Sequence, residues 1–464
     1  MNIASRRVNG LLQHLHTYHR QFTSLWQRRE QRHWSSKYLE GQMLELERKS
    51  IEPMAQALEG GNVQALQQFI SDSPWDDEPI IEQHQTLVAE TLGEPEGLVI
   101  LDGCEFPKQG ADSVGVAHQY CGPLGKLANC QASVLLAYAS EGGQTLLDRR
   151  LYLPEEWFDD EHRERWNKGG IPAVGMHTKP ELGWAMLESL IERGVVPFST
   201  IAMDASFGRD THLLTEIAAK NRHYFAAVDR SLRVWLRRPR VVAPSYSSSG
   251  GRPVTRVHLA PHVPSPLRVD QLAQSWRRAR WKRVIVREGS KGPLAVEIAI
   301  QRVVCSEKGL PARDEWLIVR RHSAQQPLKA WKFFRSNAAA DTPFNRLARL
   351  TAWRWPIETV IEECKGELGL DHYEVRGWRG WHHHLTMTML AHHFLVRLRV
   401  DMRAEAPALT VSQARHLLQV TLPKREFDAE AALAEIERIQ QQNHAAYRSH
   451  RKQHWREFHS AHPT

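Results

Sequence analysis

Through residue 92 the apolar positions recur every three or four residues. The stretch "FTSLWQRREQRHWSSKYLEGQMLELERKSIEPMAQALEG" carries them between runs rich in Glu, Arg and Gln, which predicts helices. The Ser/Asp/Pro cluster "SDSPWDDEP" breaks that spacing before another short helix, and "LGEPEGLVI" marks a change of texture. From 97 onward the pattern is strand-like: "GLVILDG", "SVGVAHQYCG", "LANCQASVLLAYAS" and "LLDRRLYLP". Helical spacing returns in "KPELGWAMLESLIERG". A buried strand "STIAMDAS", a helix "THLLTEIAAKN" and a strand "HYFAAVD" follow. A strand meander that gives way to alternating helices and strands predicts an α/β fold with a mixed sheet covered by helices.

Residues 232–340 leave that rhythm. A Ser/Gly/Pro-rich loop within "RVWLRRPRVVAPSYSSSGGRP" precedes the β segments "WKRVIVREG", "AVEIAIQRVVC", "EWLIVRR" and "LKAWKFFRSN", a β-rich inserted subdomain. Amphipathic helices resume at "TPFNRLARL". The expected organisation is a helical N-terminal domain over 1–92, a core over 93–231 and 341–402, the insertion over 232–340, and a basic helical C-terminal region over 403–464. No internal repeat interrupts it.

With 464 residues, 42% hydrophobic and 25% charged, the chain can bury a large core. Its 61 Lys and Arg against 53 Asp and Glu favour a polyanionic partner, without separating DNA from RNA or an acidic membrane surface. Five cysteines form no CxxC pair, which suits a reducing cytosol and argues against structural zinc. No run reaches membrane-spanning length and the N-terminus lacks a signal-peptide core, so a soluble cytoplasmic protein with no membrane partner is expected.

Two acids close apolar runs: Asp102 after "LVIL" and Asp204 after "TIAM". Either alone is most simply a turn or N-cap residue. A later acidic helix, "RWPIETVIEECKGELGLDHYEVRGWRGW", alters that view. At 3.6 residues per turn Arg354, Glu358 and Lys365 share one face, Glu362 lies to one side and Glu363 points away. An acid between two cations suits holding a metal while gripping a phosphate backbone. Pro356 either starts this helix or kinks it.

Asp, Asp and Glu on a strand, a later strand and a helix resemble the catalytic triad of DDE transposases. The R-x3-E-x6-K spacing is similar to the signature of bacterial insertion-sequence transposases with a β-strand insertion before the Glu. The phrases "FPKQGADSVGVAHQYCGPLGKLANCQ", "LDRRLYLPEEW", "REGSKGPL" and "LGLDHYEVRGWRGWHHH" resemble the insertion sequence 701 family, and "FTSLWQRREQRHWSSKYLEG" and "SPWDDEP" fit its N-terminal region. The resemblance implies an RNase H-like core and an N-terminal domain that binds DNA ends. It implies cleavage at element ends and attack of the freed 3′-hydroxyl on target DNA. Two Mg²⁺ or Mn²⁺ ions, roughly 4 Å apart, would be held by Asp102 (bridging), Asp204 and Glu358. Arg354, Lys365 and Lys108 would contact DNA. Partners would be double-stranded DNA, as terminal inverted repeats and target, and a second copy of the chain in a homodimer on DNA, nucleoid-associated when bound. A nuclease that cuts without joining, and a non-catalytic DNA-binding derivative, are the competing readings.

One position departs from the signature: Thr351 stands where Tyr is usual. A hairpin route to end release, common with this signature, requires an aromatic side chain for an unstacked base. Trp276 and Trp281 are ranked for that role above Trp353 and Trp355, for which core packing is expected. The segment "SWRRARWKR" interleaves the first two with Arg277, Arg278, Arg280, Lys282 and Arg283. It suits phosphate contact with base stacking as well as it suits a solvated face anchored by packed tryptophans. His382, His383 and His384 point in different directions on a helix and read as packing or phosphate contacts, not as metal ligands. "GPLGKLANC" lacks P-loop spacing, so no nucleoside-triphosphate site is expected.

Overall fold

A computed structural model describes residues 3–243, 256–289, 292–352, 354–426 and 428–461. Six helices open the chain: α1 (Ser5–Asn9), α2 (Leu11–Arg20), α3 (Arg29–Met43), α4 (Ile51–Ala57), α5 (Val63–Ser71) and α6 (Glu78–Leu92). Next come the strands β1 (Leu98–Pro107), β2 (Ala117–Cys121), β3 (Lys126–Ala139) and β4 (Gln144–Tyr152). Helices α7 (Arg163–Gly169) and α8 (Lys179–Arg193) lead to β5 (Thr200–Met203), α9 (Ala205–Gly208), α10 (Thr211–Ala219) and β6 (His223–Val228).

β1 is the hinge of the sheet. β3 runs antiparallel along one edge of it over its whole length, from Leu98↔Ala139 to Pro107↔Cys130. β5 runs parallel along the other edge only from Leu98↔Thr200 to Leu101↔Met203, and β6 continues parallel beyond β5. β2 and β4 share the outer edge of β3. An antiparallel meander followed by two parallel strands, with helices on both faces, is a mixed α/β sheet consistent with an RNase H-like fold. On one face α8 packs closely enough that a Cβ at Gly183 would meet the Leu101 side chain at 2.8 Å.

Apart from a short two-stranded pairing of Val241–Val242 with His258–Leu259, the insertion joins its described strands to the central sheet. Its elements are β7 (Arg233–Trp235), β8 (Val241–Val242), β9 (His258–Leu259), β10 (Leu267–Arg268), α11 (Val269–Gln274), β11 (Lys282–Gly289), β12 (Gly292–Glu307), β13 (Leu310–Arg321) and β14 (Lys332–Ser336). β14 pairs antiparallel with β6, and β13, β12, β7 and β10 follow in order, so the central sheet extends through the insertion to twelve strands. Pairing covers the edge of β6 that would otherwise stand open. Away from the main core these strands bury a second apolar cluster that includes Val234, Val269, Val303, Leu317 and Phe333. Much of the loop after β8 lies outside the described residues.

The other face carries α12 (Phe344–Leu350), α13 (Arg354–Leu368) and α14 (Trp378–Asp401), followed by α15 (Val411–Leu418) and α16 (Ala429–Ala461). α14 is buried over most of its length and carries histidines and threonines that need partners. The N-terminal helices supply them. Tyr38 Oη meets His384 Nδ1 at 2.7 Å, Tyr18 Oη meets His393 Nδ1 at 3.1 Å, and Gln42 donates to Thr388 Oγ1 at 2.7 Å. His383 stacks on Trp75, with ring centroids 3.5 Å apart. Residues 1–92 therefore share one core with the sheet. The buried histidines of "HHH" pack, and none lies where a phosphate could reach it. No helix among the described residues is long and apolar enough to cross a membrane.

Candidate active site

The sequence puts Asp102 at the end of its strand. The structure puts it in the middle of β1, because β3 continues to pair past it while β5 stops one residue before it. The carboxylate thus emerges where the parallel neighbour ends, on the β1 face that also carries Cys104 and Phe106 towards α13. It is 7% exposed, and its Oδ1 accepts from the Gly103 amide at 2.9 Å. Burial pushes its pKa up to about 7, and the charges of Asp204 and Glu358 add to the rise. The Arg354 guanidinium and the Gly103 amide oppose it.

Asp204 follows β5 and caps α9. Its Oδ1 accepts from the Ser206 amide at 2.8 Å, the Ser206 hydroxyl at 2.5 Å and the Phe207 amide at 3.3 Å. The simple N-cap role is thus real, and it holds the carboxylate rigidly at the wall of a cleft. Gly208 lets the turn approach β6, since a Cβ there would lie 2.3 Å from the Ala227 carbonyl oxygen.

Glu358 and Arg354 occupy the first turns of α13. Pro356 sits in the first turn, where the missing amide costs nothing, so it starts the helix and does not kink it. Arg354 Nε lies 3.3 Å from Glu358 Oε1, and its Nη2 reaches back to within 3.8 Å of Asp102 Oδ2. One guanidinium therefore lies between two carboxylates. The helical periodicity holds elsewhere too: Glu362 is exposed, and Glu363 turns away to meet His392 Nε2 at 3.0 Å. Lys365 continues along β1, its Nζ 5.5 Å from the centre of the Phe106 ring and beside Cys104. It is not among the residues lining the cleft.

That cleft, about 500 Å³, is lined by Asp204, Arg354 and Glu358 on the core side. The insertion contributes Arg320, Lys329, Trp331 and Lys332 to the lining, and the turn after β6 contributes Arg230. Sequence reasoning takes these cations only as parts of strands. Alternating Lys and aromatic residues in "LKAWKFFRSN" are the signal for them, but which side faces the acids depends on how β14 pairs. Arg320 is held in place by a hydrogen bond to the Thr351 carbonyl.

The aromatic residues are arranged differently from expectation. Thr351 is buried, its hydroxyl donating to the Ala348 carbonyl at 2.7 Å. Trp355, expected to pack, is 47% exposed and lines the cleft. Trp353 lies outside the described residues. Trp276 and Trp281 are half-buried and pack against each other at 6.1 Å. The Arg321 guanidinium lies 3.7 Å over Trp281, Trp331 meets the same ring edge-on at 5.1 Å, and Arg280 covers Trp276. The indole faces satisfy one another, while Arg277, Arg278, Arg280, Lys282 and Arg283 stay exposed. Lys108 is half-buried over the Tyr373 ring, 3.6 Å from its centre, and burial pulls its pKa down to about 8.

Three carboxylates form a hard-oxygen donor set of the kind divalent cations prefer, and the charge they place around buried Asp102 would be relieved by such a cation. As folded they do not close into a shell: among the described residues no three His, Cys, Asp or Glu side chains stand close enough to hold a metal ion. Arg354 supplies the positive charge between Asp102 and Glu358.

Over 195 residues the chain is 28% identical to the probable transposase for insertion sequence element IS701 of Microchaete diplosiphon, a match covering 41% of this chain and 48% of that protein. The chain therefore aligns with about half the length of this curated relative. Residues 11–293 match the DDE superfamily endonuclease family, a stretch that includes Asp102 and Asp204 and ends before Glu358. With most of its length in that match, the chain belongs to the DDE superfamily endonucleases.

Proposed function

We propose that the protein is a DNA transposase that cuts at the ends of an insertion sequence and joins the freed 3′-hydroxyl to target DNA. The observation that carries this reading is the pairing of Asp102 and Glu358 with Arg354, with Asp204 near enough for its charge to act on Asp102, at a cleft that is also lined by cations. DDE superfamily endonucleases are generally divalent-metal dependent, and here Asp102, Asp204 and Glu358 would hold the ions. When bound, such ions supply an activated oxygen nucleophile and stabilise charge on the leaving oxygen.

The chain's own groups do the rest. Arg354 exchanges carboxylate for phosphate when DNA enters, and Lys329, Lys332 and Arg230 hold the backbone against the acids. Water adds to the scissile phosphorus and the 3′-oxygen leaves with a proton. That 3′-hydroxyl then displaces a 3′-oxygen from a target phosphodiester. One ester forms as one breaks, so no ATP is needed. Two copies, one at each end, complete the reaction. The helices of 1–92 contribute to recognition of the ends, and exposed Arg277, Arg278, Arg280, Lys282 and Arg283 contact flanking phosphates.

The experiment is incubation of the protein with Mg²⁺, a labelled duplex carrying the element's end, and a target plasmid. Nicking at the end and covalent joining to the plasmid are expected. Asp102→Asn, Asp204→Asn and Glu358→Gln should each abolish both while leaving duplex binding nearly intact. Cleavage without joining, even of a pre-cut end, would reduce the protein to a nuclease. Near-normal cleavage by one variant would remove that residue from the site.

A further inference from the structure

The last helix is built unlike the rest of the chain. α16 runs for 33 residues, about 50 Å, yet almost all of its described side chains are exposed. Leu433 is 72% exposed, and Ile436, Ile439, Tyr447 and Trp455 also face solvent. At 3.6 residues per turn these five fall within a sector of about 160°. Arg438 lies opposite that sector, and it is the residue that pairs with Glu52 on α4. Of the half-buried residues, Glu435 lies outside the sector too and Ala432 lies near its Ile439 edge, so most of the apolar stripe points away from the body of the protein. Helices of this length gain most of their stability by burying such a face.

Charge along α16 is segregated. Its first half carries Glu430, Glu435 and Glu437 with one base, Arg438, and its second half Arg448, Arg451, Lys452 and Arg456 with one acid, Glu457. A parallel copy would set like charge against like. An antiparallel copy sets acid on base, and the register that brings Leu433 to Trp455 of the second helix also brings Glu437 to Arg451. Both of those charged residues lie on the same flank of the stripe, the flank that antiparallel helices share.

We propose that α16 is a self-association surface, pairing antiparallel with α16 of a second copy of this chain. The inference gives a place to the pairing invoked above and depends on that reading for its purpose alone, since the contact needs neither DNA nor metal.

Sedimentation of the full chain without DNA or Mg²⁺ tests it. The wild type should sediment as a dimer at micromolar concentration. Leu433→Asp with Ile436→Asp should give a monomer with unchanged far-ultraviolet dichroism. Glu437→Arg and Arg451→Glu should each raise the dimer dissociation constant about tenfold, because each reversal acts twice across the symmetric contact. Combining them should restore it to within about twofold. A monomeric wild type, a dimer untouched by the Leu433/Ile436 changes, or a double reversal that fails to restore pairing would each overturn the proposal. A monomer whose Arg451→Glu variant binds duplex DNA more weakly would assign the face to nucleic acid instead, also against it. Inactivity of Asp204→Asn leaves this measurement unaffected, so the two readings fail separately.

Discussion

Lowering the pH from 7 to 5.5 should cost this protein a large part of its stability, and the cause is the histidines of its core. His19, His84, His382, His384 and His393 are all at most 7% exposed. Burial lowers the pKa of His19, His84 and His384 to about 4, and that of His382 and His393 well below the ordinary value. His384 illustrates why the neutral ring is held: Nε2 must donate to the Leu370 carbonyl, so Nδ1 accepts from Tyr38 Oη. Burial lowers His383 as well, to about 3, although both its nitrogens face carbonyl oxygens, of Ile70 and Trp75, which oppose that fall; it is left out of the sum because a neutral ring can donate to only one of them. The sign follows from linkage. The unfolded chain protonates each ring as pH falls through 6.5, and the fold cannot until well below that, so stability present above 6.5 is lost on acidification. Between pH 7 and 5.5 each ring contributes a loss of about 1 kcal/mol, about 5 kcal/mol for the five. Asp102 works the other way. With its pKa raised to about 7 the native state takes up a proton first and regains about 2 kcal/mol. The histidines win, leaving a net loss of about 3 kcal/mol, against about 5–15 kcal/mol for a typical fold. Urea unfolding followed by tryptophan fluorescence in metal-free buffer from pH 8 to 5.5 measures this. Its slope at the acid end should correspond to uptake of about three to four protons on unfolding. His384→Gln, which can keep both hydrogen bonds, should reduce that uptake by about one. Stability that stays level from pH 7 to 5.5 would refute the reasoning.

The remaining expectations concern DNA and the cleft. Replacing exposed Arg277, Arg278 and Arg280 by Ala should lower the salt dependence of duplex binding by about 0.9 in the log–log slope for each phosphate that the variant leaves unneutralised, and an unchanged slope would place the segment off the DNA. Trp355→Ala should weaken binding of an end carrying an unpaired base by about 1–3 kcal/mol, read by fluorescence titration, and leave fully paired duplex almost unaffected. Equal losses on both substrates would make Trp355 a general backbone contact. Gly208→Ala should destabilise by about 1–3 kcal/mol and slow cleavage, because its Cβ forces the Asp204 turn off the Ala227 carbonyl. Normal thermal stability together with normal cleavage would show that this turn has room to spare.

What the chain determined locally can be read residue by residue. The apolar runs "LVIL" and "TIAM" placed an acid directly after each, and the 3.6-residue period placed Arg354 and Glu358 together and sent Glu363 elsewhere, because these depend only on neighbours along the backbone. The mixed sheet with flanking helices followed from the order of such patterns. Tertiary structure decided the rest. Asp102 is buried in mid-strand because β3 pairs beyond it and β5 does not. The insertion joins the central sheet because β14 finds the edge of β6, and that pairing brings Lys329 and Lys332 to the cleft that Asp204 lines. Trp276 and Trp281, which in sequence suit base stacking as well as packing, pack against each other under Arg280 and Arg321 in space, whereas Trp355 opens into the cleft. The partners of the α14 histidines are silent in sequence, since they come from helices more than 300 residues away, such as the one carrying Tyr38. Periodicity reports which face a residue is on. Only the pairing of distant segments settles what that face meets.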